Sequence, residues 1–412
     1  MANVLLLAFQ LICFMASLAA IGEHLRHLIA SRIPFLNGLG LLQMFILDLY
    51  LGELVLYALA LIPGAFRPEV LIAMTILAWL MLMIRSIRRG DLSKAFPEGG
   101  APWVRPWETL LVFSLSAYVL GITLYPFTEL YLGDVSDVWL HGLYARLIME
   151  RCCLPTDMAP YGKAPIFYPM GFHVMAVYAA YLFAWNPLLA VAYVCCAFRA
   201  LAPLAAYALG RTVDREGRLG LTMALAFGLL SKWPRLTPYG AGPFISGSSL
   251  FLTIMAMLAR PGEDALEPRA AAFLGLLCGL MFITYPMFAF TAIISLIYVL
   301  LRASWPDLRR LATSLMTSSA TCLTVMSYAI KQYLMAGDIS NYTPMPGVRP
   351  DHELLLERTH QSLAGMEEIL DRFFWGSWLV YDVPTKAMTF LLAGIALIMA
   401  PSLSAQPACR RS

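Results

Sequence analysis

Residues 2–22 read ANVLLLAFQLICFMASLAAIG, 21 positions without one charged side chain. Crossing the hydrocarbon core of a bilayer takes about 20 mostly apolar residues, so this stretch is expected to be a transmembrane helix. No basic segment precedes it and the apolar run is long, so a retained span is expected and not a cleaved signal peptide. The same reading extends along the chain to 39–64, 68–84, 107–126, 171–186, 187–209, 219–231, 243–259, 270–285, 286–302, 311–335 and 387–404. Pro63-Gly64, Pro187, Pro234 and Pro286 mark breaks among them. The fold class implied is an all-α polytopic membrane protein with about 11–12 transmembrane helices.

Composition points the same way. Of 412 residues, 60% are hydrophobic and 13% charged, whereas a soluble domain carries about 25% charged residues. One aqueous core cannot hide that much apolar surface, so the lipid bilayer is an expected partner. Disordered and collagen-like classes are excluded, and a net charge of +3 offers no basic patch for nucleic acid. Cys13, Cys195, Cys196, Cys278 and Cys322 lie in apolar runs as small core residues, and Cys152-Cys153 are adjacent without CxxC or Cys/His ligand spacing.

Lys and Arg orient the spans. Arg85, Arg88, Arg89, Lys94 and Arg105 place 85–105 on the cytoplasmic side, which puts the long connection 127–170 outside. Arg211, Arg215, Arg218, Arg260, Arg269, Arg309, Arg310 and the tail Arg410-Arg411 also read as cytoplasmic, leaving 336–386 outside. Counting spans forward and backward then conflicts around Arg211. Either 171–186 does not cross, being interfacial or re-entrant, or 270–302 is one long kinked span.

The first outer loop holds Asp134, Asp137, His141 and Tyr144, spaced 3, 4 and 3 apart. On a helix they share one face, with Val138, Trp139, Leu140, Leu143 and Leu147 around the rest. This predicts an amphipathic juxtamembrane helix, apolar side down, with its polar face to water. Two carboxylates and an imidazole suit proton removal from a hydroxyl or coordination of a divalent cation, and a plain solvated face is the alternative. Like charges one turn apart also raise one carboxylate's pKa.

Beyond this helix come Leu154-Pro155, Tyr161-Gly162-Lys163 and Phe167-Tyr168-Pro169-Met170-Gly171-Phe172-His173, which opens an apolar run. An acidic residue shortly before a His in the first outer loop, an LP turn, and then YPxGFH leading into a membrane helix resemble the GT-C glycosyltransferase superfamily. The likeness is to bacterial and archaeal members with paired DxxxH and YPxGFH motifs, and it covers roughly 107–260. It implies a GT-C-like core at 107–335 containing outer loop 127–170. An N-terminal three-helix addition at 1–106 precedes the core, and a second outer loop with a last span follows at 336–412. It further implies transfer of a sugar from a polyprenyl-phosphate carrier to a lipid, glycan or protein hydroxyl, on the outer side of a prokaryotic plasma membrane. The loop carboxylate, Asp137 or Asp134, activates the acceptor or helps hold a metal such as Mg²⁺ or Mn²⁺, and His141 is its partner.

The carrier phosphate is the leaving group and calls for cations near the outer interface. Lys163, His173, Lys232 and Arg235 are available, with Tyr144 and Tyr168 beside them in the motifs. Lys232 and Arg235 flank Trp233 and equally suit interface anchoring; His173 equally suits a helix-start hydrogen bond. Asp48, Glu53 and Arg199 are charges within spans, which are costly in lipid and take a functional reading by default; a buried Asp48–Arg199 pair is the purely structural alternative. These three also support the alternative of a transporter or flippase for a lipid-linked or amphiphilic substrate. Lys331 and Asp338 are expected to snorkel, Tyr285-Pro286 to mark a kink, and Asp351-His352-Glu353 to sit on an exposed helix cap in a loop that closes over the sugar site.

Overall fold

Proline sets many of the boundaries. Its fixed φ and missing N–H are harmless at the first position of a helix and disruptive later. The computed structural model describes residues 2–30, 32–33, 36, 39–89, 106–124, 136–161, 166, 168–214, 218–230, 242–259, 267–304 and 307–336. All the elements within them are helical: α1 (Ala2–Ala30), α2 (Leu41–Ala60), α3 (Pro68–Arg89), α4 (Pro106–Leu124), α5 (Ser136–Arg151), α6 (Gly171–Phe183) and α7 (Pro187–Val213) come first. They are followed by α8 (Arg218–Leu225, continuing as a π-helical turn through Leu230), α9 (Gly242–Leu258), α10 (Pro268–Thr284), α11 (Pro286–Ser304) and α12 (Leu308–Ala336). Five of these helices start on proline: α3, α4, α7, α10 and α11.

Among the described residues, five helices are long and apolar enough to cross a membrane: α1, α2, α3, α4 and α7. The chain is an α-helical membrane protein on that ground. Helix α6 has 13 residues and rises only about 20 Å against a hydrocarbon core of about 30 Å; its segment, 171–186, is one of the two expected to resolve the orientation conflict, 270–302 being the other. Helix α12 is long, but its Thr and Ser residues turn their hydroxyls onto its own carbonyls and those of α10. Thr321, for example, donates to Ala272 O at 2.7 Å. The expected break at Tyr285-Pro286 is present: Tyr285 is extended (φ −155, ψ 104) and ends α10, and Pro286 starts α11. The last expected span, 387–404, and the second outer loop lie outside the described residues.

Helix α7 is the axis of the bundle. It packs against α2, α4, α5, α6, α8 and α9, and most of its side chains are buried. Helices α1 and α2 lie against each other through two glycines: a Cβ on Gly22 would run into the Asp48 carbonyl, and one on Gly52 into the Leu18 carbonyl. Small residues at a crossing let two backbones touch, which is how membrane helices gain contact without a hydrophobic drive between them.

The buried charges do not pair as expected. Asp48 meets Arg26 of α1, with Nε at 2.7 Å from Oδ1, and Arg199 instead donates to the Phe227 carbonyl at 3.2 Å in the π turn. A π turn swings a carbonyl out of the regular ladder, offering Arg199 an acceptor that a straight helix would have used internally. Lys331 is exposed, and Asp338 lies outside the described residues.

Candidate functional site

Helix α5 is present where expected, and it faces the other way. His141, Tyr144, Ala145, Leu147 and Ile148 are buried, while Trp139 is 57% exposed and Arg146 and Glu150 face outward. The helix rests on protein: it packs on α6 and α7, and Gly142 lies against Leu188 at the start of α7. Its imidazole therefore needs a polar partner inside the fold, since an unsatisfied buried ring nitrogen is costly.

The partner is His173. Nδ1 of His141 and Nε2 of His173 stand 2.9 Å apart, both rings buried, 32 residues apart in the chain. One of the two nitrogens holds the proton and the other accepts it. Nδ1 of His173 has no hydrogen-bond partner among the described residues. Farther along, the Tyr181 hydroxyl reaches the Met149 carbonyl at 3.3 Å, eight residues on in both helices, so α5 and α6 run side by side in the same direction.

Two tyrosines close the box. Tyr144 and Tyr168 stack at 5.8 Å between ring centres, and His141 sits edge-on to Tyr168 at 5.3 Å. His173 is edge-on to both tyrosines, at 5.4 Å and 5.7 Å. Tyr144 is buried, which pushes its phenol up to about 12 and keeps it neutral. Tyr168 is half-buried and is the ring of the box with an open side. The geometry brings together His141, Tyr144, Tyr168 and His173, which is half of each motif noted in the sequence. Asp137 lies in the first turn of α5, one turn before His141. Its side chain, together with Asp134, Lys163, Lys232, Arg235 and 351–353, lies outside the described residues.

Below the box, the turn Arg151–Pro155 is held from several directions. Phe66 N–H donates to Cys152 O at 3.0 Å and Leu154 N–H to Ala60 O at 2.8 Å. Helix α12 adds Tyr328 to Leu154 O at 3.1 Å and Gln332 to Pro155 O at 3.0 Å. Arg151 grips Asp157 at 2.6 Å, and that hydrogen bond holds the Asp157 carboxyl below its ordinary range. Tyr161 donates to Glu150 at 2.7 Å while Arg146 pairs with the same carboxylate; the Tyr161 bond, then Arg146, lowers Glu150.

Cys152 ends α5 with φ +52, the left-handed position that glycine takes at a helix C-terminus. Left-handed geometry costs an ordinary side chain about 1–2 kcal/mol, and glycine costs about 0.5–1 kcal/mol in chain entropy. Cys152→Gly is therefore expected to stabilise the protein by about 0.5–1 kcal/mol. Thermal unfolding in micelles checks this, with Cys153→Gly as the control that shows no gain.

Mg²⁺ and Mn²⁺ prefer oxygen ligands. The described box offers two imidazoles bonded to each other, which does not fit such an ion, and among the described residues no three His, Cys, Asp or Glu side chains cluster. Sequence reasoning missed Arg26 as the partner of Asp48, because His27 and Arg26 at the end of a long apolar run read only as a flank. It also missed Thr284 beside Glu53, for which a lone Thr before Tyr-Pro gives no signal. No family model, curated protein or solved structure matches the chain.

Proposed function

We propose that this protein is a membrane glycosyltransferase of about 11–12 transmembrane helices with a GT-C-like core at 107–335. It moves a sugar from a polyprenyl-phosphate carrier to a lipid, glycan or protein hydroxyl on the outer side of a prokaryotic plasma membrane. The observation that carries the reading is the 2.9 Å bond between His141 and His173. The DxxxH and YPxGFH segments resemble one family only as a pair, and the fold joins them at their histidines.

In this reading the acceptor oxygen attacks the anomeric carbon as the bond to the carrier phosphate breaks. Asp137, or Asp134, takes the hydroxyl proton, because a carboxylate is the base at hand one turn from the box. His141, held by His173 at 2.9 Å, is the imidazole that partners this base. The stacked tyrosines keep that imidazole from turning, and the open side of Tyr168 offers a ring face to the sugar. The outer cations Lys163, Lys232 and Arg235 offset the charge that grows on the leaving phosphate.

The buried Glu53 and Arg199 favour the second reading, a transporter or flippase, since charges inside spans usually mark a transport path. One assay separates the two. Purified protein in nanodiscs is given a panel of polyprenyl-phosphate sugars, with and without Mg²⁺ or Mn²⁺, and release of polyprenyl phosphate is measured. Release supports the transferase. Carrier binding without release from any donor moves the assignment to transport.

A further inference from the structure

Glu53 lies in α2, one of the helices long enough to cross a membrane, and none of its surface is exposed. Its Oε1 is 2.7 Å from the hydroxyl of Thr284, the last residue of α10. The same hydroxyl is 2.8 Å from the Leu280 carbonyl, one turn back in its own helix. A threonine hydroxyl has one proton, and a carbonyl oxygen only accepts. When that proton goes to Leu280, Thr284 can only accept from Glu53, and the proton of the second bond is then on Oε1.

Three further observations agree. Oε2 has no hydrogen-bond partner among the described residues. None of the ion pairs among the described residues involves Glu53. A bare carboxylate in such surroundings is far costlier than a carboxylic acid with one unsatisfied carbonyl oxygen. Finally, Gly171 packs so tightly that a Cβ there would collide with Oε1 and come within 2.8 Å of the Ile283 carbonyl. The crowding suits a proton as ligand and disfavours a hydrated ion.

We propose that Glu53 is a proton-binding site within the membrane, carrying its proton on Oε1 and giving it to the Thr284 hydroxyl in a hydrogen bond. On release, the O–H bond breaks, its electron pair stays on the carboxylate and the proton passes to water. The Thr284 hydroxyl then turns from Leu280 to Oε1. The new charge faces Gly171, the first residue of α6, where the helix presents its positive end. Proton occupancy therefore sets the pull on the start of α6, whose first turn also carries His173. Among the described residues, the titratable groups acting with Glu53 are Tyr50 and Tyr57 on α2, with Tyr328 of α12 acting on Tyr57. The Tyr50 hydroxyl is committed to the Ser246 carbonyl at 2.7 Å, and α10 contributes the Thr284 hydroxyl. None of this depends on the transferase reading.

Infrared difference spectroscopy of the full chain in nanodiscs tests the proposal. At neutral pH the wild type minus Glu53→Gln spectrum is expected to show the carbonyl band of a protonated acid, moving to lower frequency in D₂O. Paired carboxylate bands in its place would overturn the proposal. Thr284→Val in chain labelled with ¹³C-glutamate is a second arm that does not need Glu53→Gln to fold. Losing the hydroxyl should move the acid band to higher frequency, and an unmoved or absent acid band would equally overturn the assignment.

Discussion

With His141 changed to Asn, polyprenyl-phosphate release should fall by about 10²–10⁴-fold, the range for losing a positioned proton-handling group, while the protein unfolds at nearly the wild-type temperature. The reason is geometric. An Asn side-chain amide reaches roughly where Nδ1 of His141 stands, so the contact with His173, now 2.9 Å, keeps a partner, whereas the titratable imidazole is gone. His141→Ala should lose activity to the same extent and also lose stability, by about 1–3 kcal/mol, because Nε2 of His173 is then buried without a partner. The two variants separate chemistry from scaffolding. If His141 only held α5 to α6, His141→Asn would restore activity along with stability. Release within twofold of wild type from the Asn variant would remove His141 from the mechanism. Asp137→Asn and Asp134→Asn belong in the same experiment, since the one that stops release while the carrier still binds names the base.

The second large effect is on stability. Gly22→Ala should cost about 3 kcal/mol, at the upper end of the range for overpacking, and should loosen α1 from the rest of the bundle. The obstacle to the new methyl is the Asp48 carbonyl, which is backbone, and the next atom in its way is the Gly52 nitrogen. No side chain can rotate aside, so the helices must part. Parting them also strains the Arg26–Asp48 pair, now 2.7 Å, and a buried carboxylate that loses its cation costs several kcal/mol more in its own right (about 3–5). Denaturant titration in mixed micelles measures the loss, and the double variant Gly22→Ala with Arg26→Ala should cost less than the sum, because both act through one separation. A Gly22→Ala midpoint equal to the wild type's would mean that α1 and α2 do not touch there.

Helices and their ends were largely legible. The apolar run 187–209 became α7, Pro187–Val213, and the prolines at 68, 268 and 286 each sit at the first position of a helix. Local chemistry decides such features: a missing N–H acts on its own helix whatever lies nearby. The count of crossing helices was less legible. Segments 243–259 and 270–285 are apolar enough for a bilayer, yet α9 and α10 have 17 residues each and are mostly buried against other helices. A helix that is apolar all round satisfies lipid and protein interior equally, so hydropathy alone does not tell them apart.

The site divides along the same line. That Asp137, His141 and Tyr144 share a helical segment, and that YPxGFH opens another, follows from spacing in the sequence. That His141 turns inward, bonds His173 and sits among stacked tyrosines was decided only when α5 docked on α6. So was the partner of Asp48, which is Arg26 and not Arg199, and so was the left-handed turn at Cys152. Periodicity reports that one face of a helix is polar. It does not report whether water or another side chain completes the hydrogen bonds of that face, because the two are nearly equal in energy and differ only in which surfaces the rest of the chain brings together.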